Sequence, residues 1–176
     1  METQTASIKK IALNYGVLLA LLSIVLQVIS YVLDAHIDRP WWLTVLQLLI
    51  SVGVITYGIK AYKTENAGFL TIGQALKAGL AISLVAGIIA VVFNYIFMNY
   101  IDPDFVQKTL DFSREQMIEK NPNMPQEQID TAMSMSAKFM SPLIMSAFAM
   151  IATLFFGFII SLFAGLIMKK NPPQQL

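Results

Sequence analysis

Four long apolar blocks, at residues 11 to 33, 41 to 59, 78 to 101 and 143 to 168, are separated by short polar stretches and one long one. None of the blocks contains Asp, Glu, Lys, Arg or His. A hydrocarbon core of about 30 Å is crossed by roughly 20 apolar helical residues, so every block is long enough to span a bilayer. Backbone N–H and C=O groups find no water in lipid, which forces each block into α-helix despite its many Val and Ile residues. The pattern predicts an all-α fold, a polytopic membrane protein in which residues 1–176 form a single membrane domain with four transmembrane helices. The first block follows Lys9 and Lys10 as a signal peptide would, but it is too long, holds Gln27 and ends in YVLDAH without a small-residue cleavage site. It reads as a retained span.

The polar stretches predict how the spans connect. Residues 34 to 40 form a short link ending at Pro40, so the first two spans make an antiparallel hairpin. The second link contains ENAG, a turn signal, followed by Thr71 and Gln74 at capping-box spacing, which starts the third span near Ile72. The segment 102 to 141 is too long for a bare connection and rich in helix formers. It predicts an extracytoplasmic helical hairpin between spans 3 and 4. Its first helix begins with Asp102 as N-cap and Pro103 at the first helical position, NPNMP breaks it, and a second starts near Pro125. That second helix carries a weakly apolar stripe of Ile129, Ala132, Met133, Ser136, Ala137 and Met140, with a boundary or kink at Pro142.

Charge placement gives the direction. Lys9, Lys10, Lys60, Lys63, Lys77, Lys169 and Lys170 fall on one side, close to span ends. The other side has Arg39 in a short loop, and Lys108, Arg114, Lys120 and Lys138 diluted through the long one. The positive-inside rule puts both the N and C termini in the cytoplasm and the long segment outside. Nine of the eleven acidic residues, from Asp34 to Asp130, then lie outside, in agreement. Trp41, Trp42, Tyr31 and Tyr100 mark the outer interface, and Tyr15, Tyr57 and Tyr62 the inner one.

Composition narrows the chemistry. The chain is 56% hydrophobic and 13% charged, with a mean hydropathy of +0.64. A net charge of +1 argues against nucleic acid as a partner. With no cysteine, disulfides, thiolate catalysis and cysteine-linked lipids are excluded. No span holds an ionisable group and no nucleophile has a recognisable base nearby, so the expectation is a protein that is not an enzyme and takes no cofactor.

Four features remain. GLAISLVAG at 79 to 87 and GFIISLFAG at 157 to 165 agree at six of nine positions and place Gly79, Ser83, Gly87 and Gly157, Ser161, Gly165 at four-residue intervals. Such ridges let membrane helices approach closely, and the expected antiparallel register sets Ser83 beside Ser161 and Gly79 beside Gly165. An inverted transporter-type repeat is the sharper alternative. Gln27, Gln47 and Asn94 all fall about 9 to 11 Å below the outer surface at 1.5 Å per residue. They form a possible polar layer, serving interhelical hydrogen bonds or lining a site for a small molecule or lipid headgroup. Met133, Met135 and Met140 belong to a Met-rich stretch that suits adaptable packing or docking better than copper. His36 with Asp34 and Asp38, or Asp102 with Asp104, has the chemistry to bind a divalent ion, although loop acids usually stay solvated and no metal site is assigned.

Tyr15-Gly16, YGIKAYK at 57 to 63, GFLTIGQALKAG at 68 to 79 and YIDPDF at 100 to 105 together resemble the bacterial four-span membrane family called domain of unknown function 4199. The resemblance runs over nearly the whole chain and implies a multi-pass protein of the cytoplasmic (inner) membrane, with the long segment in the periplasm. It brings no catalytic residue. The functional expectation is a structural or accessory component whose outer helices contact the bilayer, a membrane-protein partner or a second copy. The alternative is a transporter or lipid-handling protein for an uncharged or amphipathic molecule. A continuous polar cavity reaching Gln27, Gln47 and Asn94 favours the alternative, and a dry bundle favours the accessory role.

Overall fold

A computed structural model describes residues 6–171. Six α-helices follow in order: α1 (Ile8–Val32), α2 (Trp41–Glu65), α3 (Ile72–Ile96), α4 (Phe105–Lys120), α5 (Gln126–Phe139) and α6 (Pro142–Met168). α1, α2, α3 and α6 are long and apolar enough to cross a membrane, and the chain is a multi-pass membrane protein. α3 packs chiefly against α1 and α6, and α2 fits against α1, α6 and α3. Below, the two ends of the bundle are the termini end and the insertion end, the latter carrying α4 and α5.

Two spans extend about six residues past their apolar blocks at the termini end. α2 continues to Glu65 and α3 starts at Ile72, because lysine stems and a capping box extend helix beyond the hydrocarbon. In the box, Gln74 N donates to Thr71 Oγ1 at 3.2 Å and Thr71 N donates to Gln74 Oε1 at 2.8 Å. The ENAG turn between the two helices places Ala67 (φ 52°) and Gly68 (φ 79°) in the left-handed region. Leu70 and Lys170 exchange main-chain hydrogen bonds of 2.9 Å, and Lys63 Nζ donates to Met168 O at 2.8 Å, closing the end of α6.

The termini half of the bundle is its packed core. Ile11, Leu19, Ala20, Ile55, Ile59, Ala75, Ala78, Ile82, Ile160 and Ala164 form one buried cluster. The small-residue ridges of α3 and α6 meet here, but one helical turn away from the expected register. A Cβ on Gly79 would overlap Ser161 Oγ, and one on Gly157 would overlap Ser83 Oγ. Each serine therefore fills the other helix's glycine notch, whereas serine against serine would hold the two backbones apart by two side chains. The serine hydroxyls are satisfied within their own helices: Ser83 donates to Gly79 O at 2.9 Å and Ser161 to Gly157 O at 2.5 Å. A Cβ on Gly165 would come within 2.9 Å of Ala75 Cβ, and one on Gly87 within 2.7 Å of Met150 Sδ, in keeping with the shifted register.

At the insertion end packing changes. α6 has no buried residue before Gly157. α3 is prolonged by a π-helical turn, Phe97–Ile101, closed by Asp102 N donating to Phe97 O at 2.8 Å. The expected N-cap at Asp102 is not formed. α4 begins at Phe105, the cap position falls to Asp104, and neither carboxylate caps the helix. Asp102 instead turns inward, 3% exposed, because its carboxylate is held by the Lys108 ammonium and by His36. The NPNMP break separates α4 from α5 at Asn121–Pro125, and Arg114 pairs with Asp130 at 2.7 Å across them. Ser141 caps α6, with Pro142 at its first position.

Candidate functional site

The loosely packed half holds a partly open cavity of about 520 Å³. His36, Arg39 and Phe105 line it at the insertion end, and Ile55, Ser83, Gly157 and Ile160 line its floor. Along α2 the lining runs from Thr44 to Ile55, roughly 16 Å at 1.5 Å per residue, about half the hydrocarbon thickness. Below the floor lies the packed core, so the cavity is blind. Its volume falls within the range of small-molecule sites, about 300–1,000 Å³.

Gln27, Gln47 and Asn94 all line this space, in two tiers rather than one layer. Gln27 Nε2 donates to Asn94 Oδ1 at 3.0 Å, joining α1 to α3. Gln47 reaches neither. Its Nε2 donates to Ser23 Oγ at 2.9 Å, one turn deeper on α1, and to Ser51 Oγ at 3.4 Å. Helix spacing explains the split: Ser23 and Gln27 are four residues apart on one face of α1, and each meets a different neighbour. In this arrangement Gln27 Oε1, Gln47 Oε1 and Asn94 Nδ2 keep unspent hydrogen-bonding capacity beside an otherwise mostly apolar wall. Ser30, Thr44, Ser146 and Thr153 also contribute to the lining. Scattered single hydroxyls of this kind carry no sequence signal of their own, since each also suits ordinary helix packing.

Above the cavity sits a second cluster built around Asp102. His36 Nε2 lies 3.0 Å from Asp102 Oδ2, and Lys108 Nζ lies 2.6 Å from Asp102 Oδ1. The carboxylate thus joins the α1–α2 link, the end of α3 and the first turn of α4. Hydrogen bonding to Asp102 holds the Lys108 ammonium above the usual lysine range, aided by the charges of Asp102 and Asp104. The His36 ring is boxed by Tyr31, Phe97 and Phe105, with centroids 5.0, 6.4 and 6.3 Å away. Its Nδ1 is buried without a partner. Of the residues weighed for a divalent ion, His36 and Asp102 thus engage each other, and among the described residues no group of three His, Cys, Asp or Glu side chains is placed to hold a metal. Sequence alone brings His36 and Asp102 only into separate loops, 66 positions apart.

A family model described as protein of unknown function (DUF4199) matches residues 14–170. The chain belongs to this family. No curated protein and no solved structure matches it. The matched region takes in α1 from Asn14 onward, the other three spans whole, and the residues of the cavity and the Asp102 cluster.

Proposed function

We propose that this protein is a membrane-embedded binding protein that takes up an amphipathic small molecule at the insertion end of its bundle, for handling or transfer rather than for chemical conversion. The observation that carries this reading is the blind cavity lined jointly by Gln27, Gln47 and Asn94. An apolar space with a few convergent polar groups is the usual form of a small-molecule site. The packed floor at Ser83 and Gly157 argues against an open pore. The distribution of lysines supports placing the cavity mouth on the periplasmic side of the bacterial inner membrane, with both termini cytoplasmic. In that setting the ligand is delivered from the outer leaflet or the periplasm.

The reading is tested with the full chain in nanodiscs of zwitterionic lipid and three radiolabelled dodecyl amphipaths bearing phosphate, maltoside or trimethylammonium heads. At least one should bind saturably, and Ala149→Phe, which places a ring in the cavity, should weaken that binding roughly ten-fold or more while leaving the helical fold intact. No saturable binding by any head, or equal binding by the filled variant, would sink the proposal.

The accessory role retains one specific support. Met135, Phe139 and Leu143 are 56%, 57% and 82% exposed at the junction of α5 and α6, an apolar run suited to a partner helix or a second copy. Cross-linking from residues 135 to 143 in native membranes, with recovery of a defined protein, would favour that role.

A further inference from the structure

Resting on the binding role above, we infer that the ligand's head is anionic, a carboxylate or phosphate on a single alkyl chain, held at the cavity mouth by Arg39 with His36 beside it. The first argument is electrostatic. Of the side chains lining the cavity, Arg39 and His36 are the two able to carry positive charge, and no Asp or Glu lines it among the described residues. The nearest buried acid, Asp102, is already engaged by His36 and Lys108 and so cannot serve as counter-ion for Arg39. Among the described residues the Arg39 guanidinium forms no ion pair, and it lies exposed where the cavity meets the membrane surface.

The second argument is the state of His36. Its side chain is nine-tenths buried, it lines the cavity, and its Nδ1 has no hydrogen-bond partner. A buried polar atom left unpaired costs free energy. With Nε2 donating to Asp102, Nδ1 accepts from a ligand O–H or a water in the neutral ring and donates to a ligand anion's oxygen in the imidazolium, and either bond would relieve that cost. The Asp102 contact fixes the ring through Nε2, so the open position is held in place rather than free to rotate away. α2 begins at the same point. Pro40 occupies its cap position and supplies no side-chain acceptor for the first amides, so the helix adds its positive end to the mouth.

The geometry also orders the rest of the ligand. Below the mouth come Gln27 and Asn94, then Ser23, Gln47 and Ser51, and between them an apolar wall that includes Leu48, Met145 and Phe156. Arginine suits the head because its planar fork holds a carboxylate or phosphate through two parallel hydrogen bonds. The space accommodates one chain, with the amide tier available to an ester, hydroxyl or amide near the head.

The experiment uses the same nanodisc assay. Dodecyl phosphate should bind at least roughly ten-fold more tightly than dodecyl maltoside, and dodecyltrimethylammonium should bind no more than non-specifically. Arg39→Gln removes the charge at an exposed loop position and should weaken dodecyl phosphate binding roughly ten-fold or more, with little effect on the maltoside. His36→Asn should weaken phosphate binding too, and retention of the thermal midpoint by Arg39→Gln separates loss of the site from loss of the fold. Equal affinity for the three heads, or unchanged phosphate binding in Arg39→Gln, overturns the inference; if Ala149→Phe still abolishes that binding, the cavity role stands without it. Inorganic phosphate competing as well as dodecyl phosphate would likewise overturn the single-chain ligand, pointing to a free anion at the mouth. A two-chain phosphatidic acid competing at equal concentration would overturn it as well, pointing to whole lipids.

Discussion

At the scale of single residues, the contact between Ser161 and Gly79, repeated by Ser83 and Gly157, fixes how closely α3 and α6 approach. In lipid there is little hydrophobic gain in bringing two apolar helices together, so close packing over small residues has to supply the attraction. Gly157→Ala adds only one methyl group, yet its Cβ would lie 2.7 Å from Ser83 Cβ and nearer still to the hydroxyl. The expected cost is about 1–3 kcal/mol, measured by mixed-micelle unfolding followed by circular dichroism. Exchanging knob and notch, as Ser83→Gly together with Gly157→Ser, should recover most of the loss caused by Gly157→Ser alone, because the pair is rebuilt in mirror order. Additive losses in the double variant would refute the pairing. Gly53 is the control. A Cβ there meets nothing within 4 Å, so Gly53→Ala should stabilise α2 by about 0.5–1 kcal/mol.

At the scale of elements, Asp102 determines how α4 is joined to the bundle. Local spacing marks the residue as a helix cap, and Asp followed by Pro is a sound cap signal. What local spacing cannot show is His36, which reaches Asp102 only after the α1–α2 hairpin has formed, or the added π-helical turn at Phe97–Ile101 that rotates the carboxylate inward. A carboxylate held by the Lys108 ammonium and by His36 Nε2 outweighs a neutral amide bond at a cap. The consequence is a pH dependence at the alkaline end. Asp102 raises the Lys108 pKa above its ordinary 10.5, so the pair stabilises α4 in full below that value and the contribution fades as pH climbs through the folded-state pKa. Amide exchange in α4, corrected for its intrinsic pH dependence, should therefore show lost protection above about pH 10.5 in the wild type. Lys108→Met should be less protected at neutral pH and should lack the alkaline step. An identical step in that variant would exclude Lys108 as its source.

At the scale of the whole molecule, the bundle is tight at the termini end and hollow at the insertion end, and the sequence reveals these halves unequally. The four spans were legible because lipid leaves the backbone no alternative to helix, so apolar length alone decides. The capping box at Thr71 and Gln74 was legible for a related reason: its partners are three residues apart. The ridge was visible as a pattern, but its register was not, since Gly and Ser repeat every four residues and a one-turn shift preserves the spacing. The cavity was legible only as three amides at similar depth. That α6 stands off between Pro142 and Gly157 depends on packing that no single segment encodes. Orientation matters most for function, because it decides which compartment faces Arg39 and His36. The chain has no cysteine, so single replacements report on it without background. In intact spheroplasts, Glu119→Cys on α4 should react with a membrane-impermeant maleimide, and Thr64→Cys near the end of α2 should react only after permeabilisation. The reverse pattern would turn the cavity mouth to the cytoplasm. The proposed anion-binding site would then draw on cytoplasmic amphipaths, and the lysine-rich end of the bundle would face outward against the charge bias that normally sets topology.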